Sequence, residues 1–141
     1  MNTAEDVLGM LELLGRPRCV LVVEDQLSWL WALTTILEER GHTVVPMIGV
    51  LTVDATGIEG IGLDGKVISP RIPVADIHVV FLDYNFAGLK MNGASFMRDF
   101  RLHSNAPVMG MSSDRAFNTH MKESGATAAM QKSHLKQILL A

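Results

Sequence analysis

The sequence predicts an α/β fold: a parallel sheet with helices on both faces. Three observations predict it. Short runs of apolar, β-branched-rich residues alternate along the chain with longer stretches of helical periodicity. Those runs are continuously apolar, as strands buried on both faces are. Four of them end in acidic, hydroxyl or basic side chains, and in this fold class the carboxyl ends of the strands share one edge.

Size and composition are consistent with this. A chain of 141 residues suits one domain, long enough to bury about two thirds of its unfolded surface. With 48% apolar and 19% charged residues, disorder is excluded. The charge content is below the roughly 25% usual for soluble domains, which points to apolar surface kept for a partner. A net charge of −3 argues against binding nucleic acid through phosphate neutralisation. The lone Cys19 rules out an internal disulfide or a thiolate cluster and suits a reducing cytoplasm. The longest uncharged stretch, residues 41–53, is too short to span a bilayer, and the acidic N-terminus is unlike a secretory signal.

The elements follow in order. Residues 4–14 place Val7, Leu8, Leu11 and Leu14 on one face of a short amphipathic helix, so residues 1–17 form an N-terminal appendage to a domain over 18–141. Pro17 ends that helix by forcing the residue before it out of the helical region. Residues 19–23 are the first strand, followed by Glu24 and Asp25. Residues 26–40 form a helix stopped by Gly41, with Leu27, Leu30 and Trp31 spreading apolar surface widely around it. Residues 42–48 are the second strand. Residues 49–75 then break the rhythm, carrying glycines at 49, 57, 60, 62 and 65 with Pro70 and Pro73. The Asp64-Gly65 pair between residues 58–63 and 66–72 predicts an inserted β-hairpin. Strands follow at 77–82, ending at Asp83; at 107–111, ending at Ser112; and at 127–130, ending near Lys132. Helices are expected at 94–102, 115–124 and 134–140. The five histidines show no metal-ligand spacing, and the nine methionines read as core filler.

At one sheet edge this order gathers Glu24, Asp25, Asp83, Ser112 and Lys132. Carboxylates held together repel, and a hard divalent cation relieves that repulsion. An oxygen-only donor set points to Mg2+ with a phosphate oxygen. Lys132 and Ser112 supply a compact charge and a hydroxyl donor for the other phosphoryl oxygens. The set reads as a phosphoryl receptor.

The same residues resemble those of the receiver domains of two-component response regulators: VLVVEDQ for the acid pair, VVFLDYN for the phosphoacceptor strand, APVMGMSSD for the hydroxyl strand and GATAAMQKS for the lysine strand. The resemblance covers residues 18–140 apart from the insertion. It implies a flavodoxin-like, doubly wound, five-stranded sheet of order 2-1-3-4-5, with the hairpin in place of the second helix. It also implies Asp83 as phosphoacceptor, Ser112 and Lys132 as phosphoryl-binding groups, and Mg2+ held by Glu24, Asp25, Asp83 and the backbone carbonyl of Asn85. The partners so implied are a histidine kinase or phosphotransfer protein and a downstream protein, with a homodimer through the N-terminal or first long helix as a further option. The chain would then be a signalling module, acting in the cytoplasm, and not an enzyme beyond self-phosphorylation from small donors and autodephosphorylation. It departs from the family pattern at Ala87, Ala129 and Ser133, where proline, an aromatic and proline are usual. Two other functions compete: a degenerate receiver serving as a phosphorylation-independent scaffold or dimerisation module, and a small phosphatase of the haloacid dehalogenase type. The second lacks its general acid, since Asn85 stands where an aspartate is needed.

Overall fold

The computed structural model describes residues 19–83, 92–112, 123 and 125–140. The N-terminal helix expected at 4–14, the loop holding Asn85 and Ala87, and all of the helix expected at 115–124 except residue 123 lie outside the described residues.

The five core strands are β1 (Cys19–Val23), β2 (Thr43–Met47), β5 (Val79–Asp83), β6 (Val108–Ser112) and β7 (Ala128–Gln131). They pair in the order β2-β1-β5-β6-β7, all parallel. With the insertion set aside, this is the doubly wound 2-1-3-4-5 arrangement. Each strand sends alternate side chains to opposite faces, so two cores form. On one face Val20, Val22, Val79, Phe81 and Met109 meet Leu30, Leu33 and Leu37 of helix α1 (Leu27–Glu39) and Leu135 of helix α3 (Lys132–Leu140). On the other, Leu21, Val23, Val80 and Leu82 meet Phe96, Met97 and Phe100 of helix α2 (Gly93–Arg101). Asn92 caps α2 through a reciprocal pair of bonds with Ser95.

The insertion completes that second face. Strands β3 (Gly49–Asp54) and β4 (Gly57–Ile61) form an antiparallel pair that buries Val50, Val53 and Ile58 against the α2 side of the sheet. Its internal layout adds to the sequence reading: β3 and β4 form a further hairpin, joined at Ala55-Thr56, ahead of the expected turn at Asp64-Gly65. The Asp54 carboxylate accepts the Thr56 N–H and hydroxyl, which holds the turn, and Gly57 leaves it at φ 132°. Asp64-Gly65 is a second turn that folds residues 66–72 back on β4 through isolated bridges, Ile61 to Val67 and Ile58 to Ile72. Those residues lie antiparallel as expected but form no continuous ladder. Arg71 pins the assembly by donating to Thr52 Oγ1 and Asp54 Oδ2, at 2.7 and 3.1 Å. Other bounds shift by a residue or two. The last helix begins at Lys132, two residues before the expected start.

Gly57 and Gly41 both have positive φ but differ in surroundings. A Cβ on Gly57 would lie 2.6 Å from the Ile72 carbonyl oxygen, whereas one on Gly41 would meet nothing within 4 Å. Gly41→Ala should therefore cost only the backbone term, about 1–2 kcal/mol, and Gly57→Ala about 1–3 kcal/mol more; urea denaturation midpoints measure the difference.

Candidate functional site

Register decides which side chains meet. Val23 pairs with Leu82, Asp83 with Met111, and Ser112 with Gln131. Glu24, Asp83, Ser112 and Lys132 are thereby stepped along one edge of the sheet although 108 residues separate the first from the last. Glu24, Asp83 and Ser112 are buried, and Asp25 is exposed beside them. Carboxylate oxygens of Glu24, Asp25 and Asp83 all lie within 4.8 Å of one another.

Lys132 reaches into this cluster. Its Nζ lies 3.0 Å from Glu24 Oε1, 2.8 Å from Glu24 Oε2 and 3.6 Å from Asp83 Oδ1. The Glu24 carboxylate also accepts the Gln26 N–H at 3.0 Å, just ahead of α1, so it serves the helix entrance and the cluster together. Oε2, despite its ion-pair distance, accepts no hydrogen bond of proper geometry. Burial raises the Glu24 carboxyl from its ordinary value to about 7; the Lys132 hydrogen bond pulls it back down, and the Asp83 charge pushes it further up.

These features fit a hard divalent cation. Three carboxyl groups face one ammonium at this edge, and one buried carboxylate oxygen accepts no hydrogen bond of proper geometry. The donors are all oxygen, as Mg2+ prefers.

Every named site residue except Asn85, which lies outside the described residues, sits at this edge. The sequence reading missed Gln26. It precedes α1 without capping it, and its Oε1 instead accepts from Lys132 Nζ at 3.3 Å. The signal was there: glutamine is not among the residues that favour a helix N-cap, which leaves its side chain to serve another group.

No protein-family model matches the chain, and no curated protein sequence does. Solved structures do. NtrX from Brucella abortus aligns with a TM-score of 0.61 and 21% identity over 89% of this chain, which spans 25% of that one. The chemotaxis protein CheY4 of Vibrio cholerae aligns at 0.57 with 17% identity, covering 89% of this chain and 94% of that one. The N-terminal receiver domain of Klebsiella pneumoniae RstA aligns at 0.57 with 18% identity, covering 88% and 100%. The fold is that of the CheY-like response regulator receiver domains.

The pH dependence of stability tests the Glu24 environment. Between about 4.5 and about 7 the folded chain keeps a proton that the unfolded chain has lost. The Glu24 contribution is thus fully present below pH 4.5, falls as pH rises, and is gone above about 7. Without divalent cations, stability should drop by about 2–3 kcal/mol across that window, and Glu24→Gln should flatten the slope in urea titrations. Mg2+ should stabilise the chain more at pH 8 than at pH 5.

Proposed function

We propose that the chain is a phosphoacceptor receiver module of a two-component phosphorelay, phosphorylated on Asp83. The observation that carries this is the convergence of three carboxylates within 4.8 Å at the strand ends, with Lys132 Nζ 3.6 Å from Asp83. Glu24, Asp25 and Asp83, with the backbone carbonyl of Asn85, would hold Mg2+. The cation supplies charge neutralisation for the incoming phosphoryl oxygens.

The chain's own residues account for the transfer. A buried carboxylate oxygen of Asp83 forms its bond to phosphorus as the bond to the donor nitrogen breaks, and the donor imidazole keeps the electron pair. In such in-line transfer, positioning and charge compensation do most of the catalysis. Lys132 needs only a short swing, since its ammonium already stands between Glu24 and Asp83. Ser112, buried on the adjacent strand, would donate its hydroxyl to a phosphoryl oxygen. The acyl phosphate then adds charge and acceptors at one sheet edge, a local change that can bias the loops beyond β5 and β6.

The donor partner would be a histidine kinase or phosphotransfer protein, and the output a protein contact controlled by the phosphoryl group. This is a signalling role in the cytoplasm without turnover of an external substrate. Among the described residues no helix is long and apolar enough to cross a membrane.

Incubation with Mg2+ and acetyl phosphate should give a single phosphoryl adduct by intact mass, absent in Asp83→Asn and after chelation. Lys132→Ala should slow its formation by about 10²-fold or more. Cation binding without any adduct would favour the phosphorylation-independent scaffold, and steady hydrolysis of a phosphomonoester would favour the phosphatase.

A further inference from the structure

Lys132 stands where two neighbourhoods meet. On one side is the acid edge; on the other is a groove of about 660 Å³ along the flank of α1, which Gln26, Trp29, Ile36 and Lys132 line and Glu24 and Asp83 do not. The oxygens around its ammonium are unevenly placed: Glu24 Oε2 at 2.8 Å and Oε1 at 3.0 Å, Gln26 Oε1 at 3.3 Å and Asp83 Oδ1 at 3.6 Å. Asp83, the group that would receive the phosphoryl, is the farthest of these. Gln26 alone among them is uncharged and exposed.

We propose that Gln26 is a positioning residue for Lys132: its side-chain carbonyl draws the ammonium to the groove side of the edge and so sets how readily the lysine moves onto a phosphoryl group at Asp83. This rests on Asp83 as the phosphoacceptor. An ammonium is a compact charge with three rotatable donors, so the acceptors around it decide where it rests. To serve phosphoryl oxygens, Lys132 must leave the Glu24 and Gln26 side for Asp83. Each acceptor on the near side makes that move harder.

The Gln26 side chain is separable from the rest of the site. Its backbone N–H donates to Glu24 Oε1 at 3.0 Å, and its side chain makes no capping bond to α1. The amide thus orients Glu24 while the carboxamide holds Lys132, and a side-chain substitution alters only the second. A neutral acceptor also suits a holding role. A carboxylate at this position would attract the ammonium more strongly and crowd the acid cluster, whereas an exposed carboxamide at 3.3 Å makes a contact that is readily broken.

Adduct formation with Mg2+ and acetyl phosphate is timed by intact mass in the full chain, in Gln26→Met and in Gln26→Glu, with far-UV circular dichroism confirming that all three are folded. Methionine keeps the length of the side chain without its acceptor, so the adduct should form about fivefold faster, as expected for loss of one weak hydrogen bond to a charged group. Glutamate should slow it. Opposite responses at one exposed position are not what a structural lesion produces. In a Lys132→Met background, Gln26→Met should make no difference. A second measurement needs neither metal nor phosphodonor: trace labelling of Lys132 by acetic anhydride, read from peptide masses, should rise about twofold in Gln26→Met as the ammonium is released. Unchanged adduct rates or unchanged labelling in Gln26→Met, or an acceleration that persists without Lys132, would overturn the proposal and leave Asp83 as acceptor. A folded wild type that takes no adduct at all would overturn the phosphoacceptor reading itself, and this proposal with it.

Discussion

The Glu24–Lys132 ion pair is the constraint around which the molecule closes. It joins the end of the first strand to the start of the last helix, and it lies where burial alone makes a carboxylate expensive. Remove the lysine and Glu24 keeps the Gln26 N–H but loses its cation beside the Asp83 and Asp25 carboxyls. Remove the acid and Lys132 loses its nearest anion. An arrangement so dependent on both partners adds little net stability, while losing either partner is costly.

That edge is polar because everything beneath it is not. The central strands are buried on both sides, so their chemistry-bearing residues lie at their last positions or just past them. The insertion contributes to the same economy. Where a doubly wound sheet would use a helix between β2 and β5, this chain uses an antiparallel pair whose Val50, Val53 and Ile58 complete the core beside α2. Two strands present a flat apolar face as a helix presents a stripe, and either can cover a sheet. The cost of glycine-rich backbone is offset by local pins: Arg71 across the strands and the Asp54 turn.

Much of this was legible before any coordinates. Continuous apolar runs announced the buried strands, and Asp83 at the end of one could not be a casual surface residue. Strand ends in a parallel sheet share an edge, so Glu24, Asp25, Asp83, Ser112 and Lys132 could be gathered from topology alone. The hairpin was less legible. Asp64-Gly65 is a strong turn signal and makes the turn it announces, but the β3–β4 hairpin at Ala55-Thr56 carries no such dipeptide and is held by the Asp54 carboxylate and by burial of Val50 and Val53. Gln26 was passed over because a lone glutamine at a helix entrance carries no periodicity and no charge.

The sequence by itself determined the alternation of elements, the parallel sheet and the identity of the polar residues at its edge, since hydrophobic periodicity and strand polarity are properties of order along the chain. Tertiary structure decided the pairings. That Lys132 lies nearer Glu24 than Asp83, that Glu24 also serves the entrance of α1, and that Gln26 turns to the lysine depend on sub-ångström to few-ångström distances set by register and packing. Electrostatic coupling in a buried site varies steeply over such distances, and no pattern in one dimension encodes them.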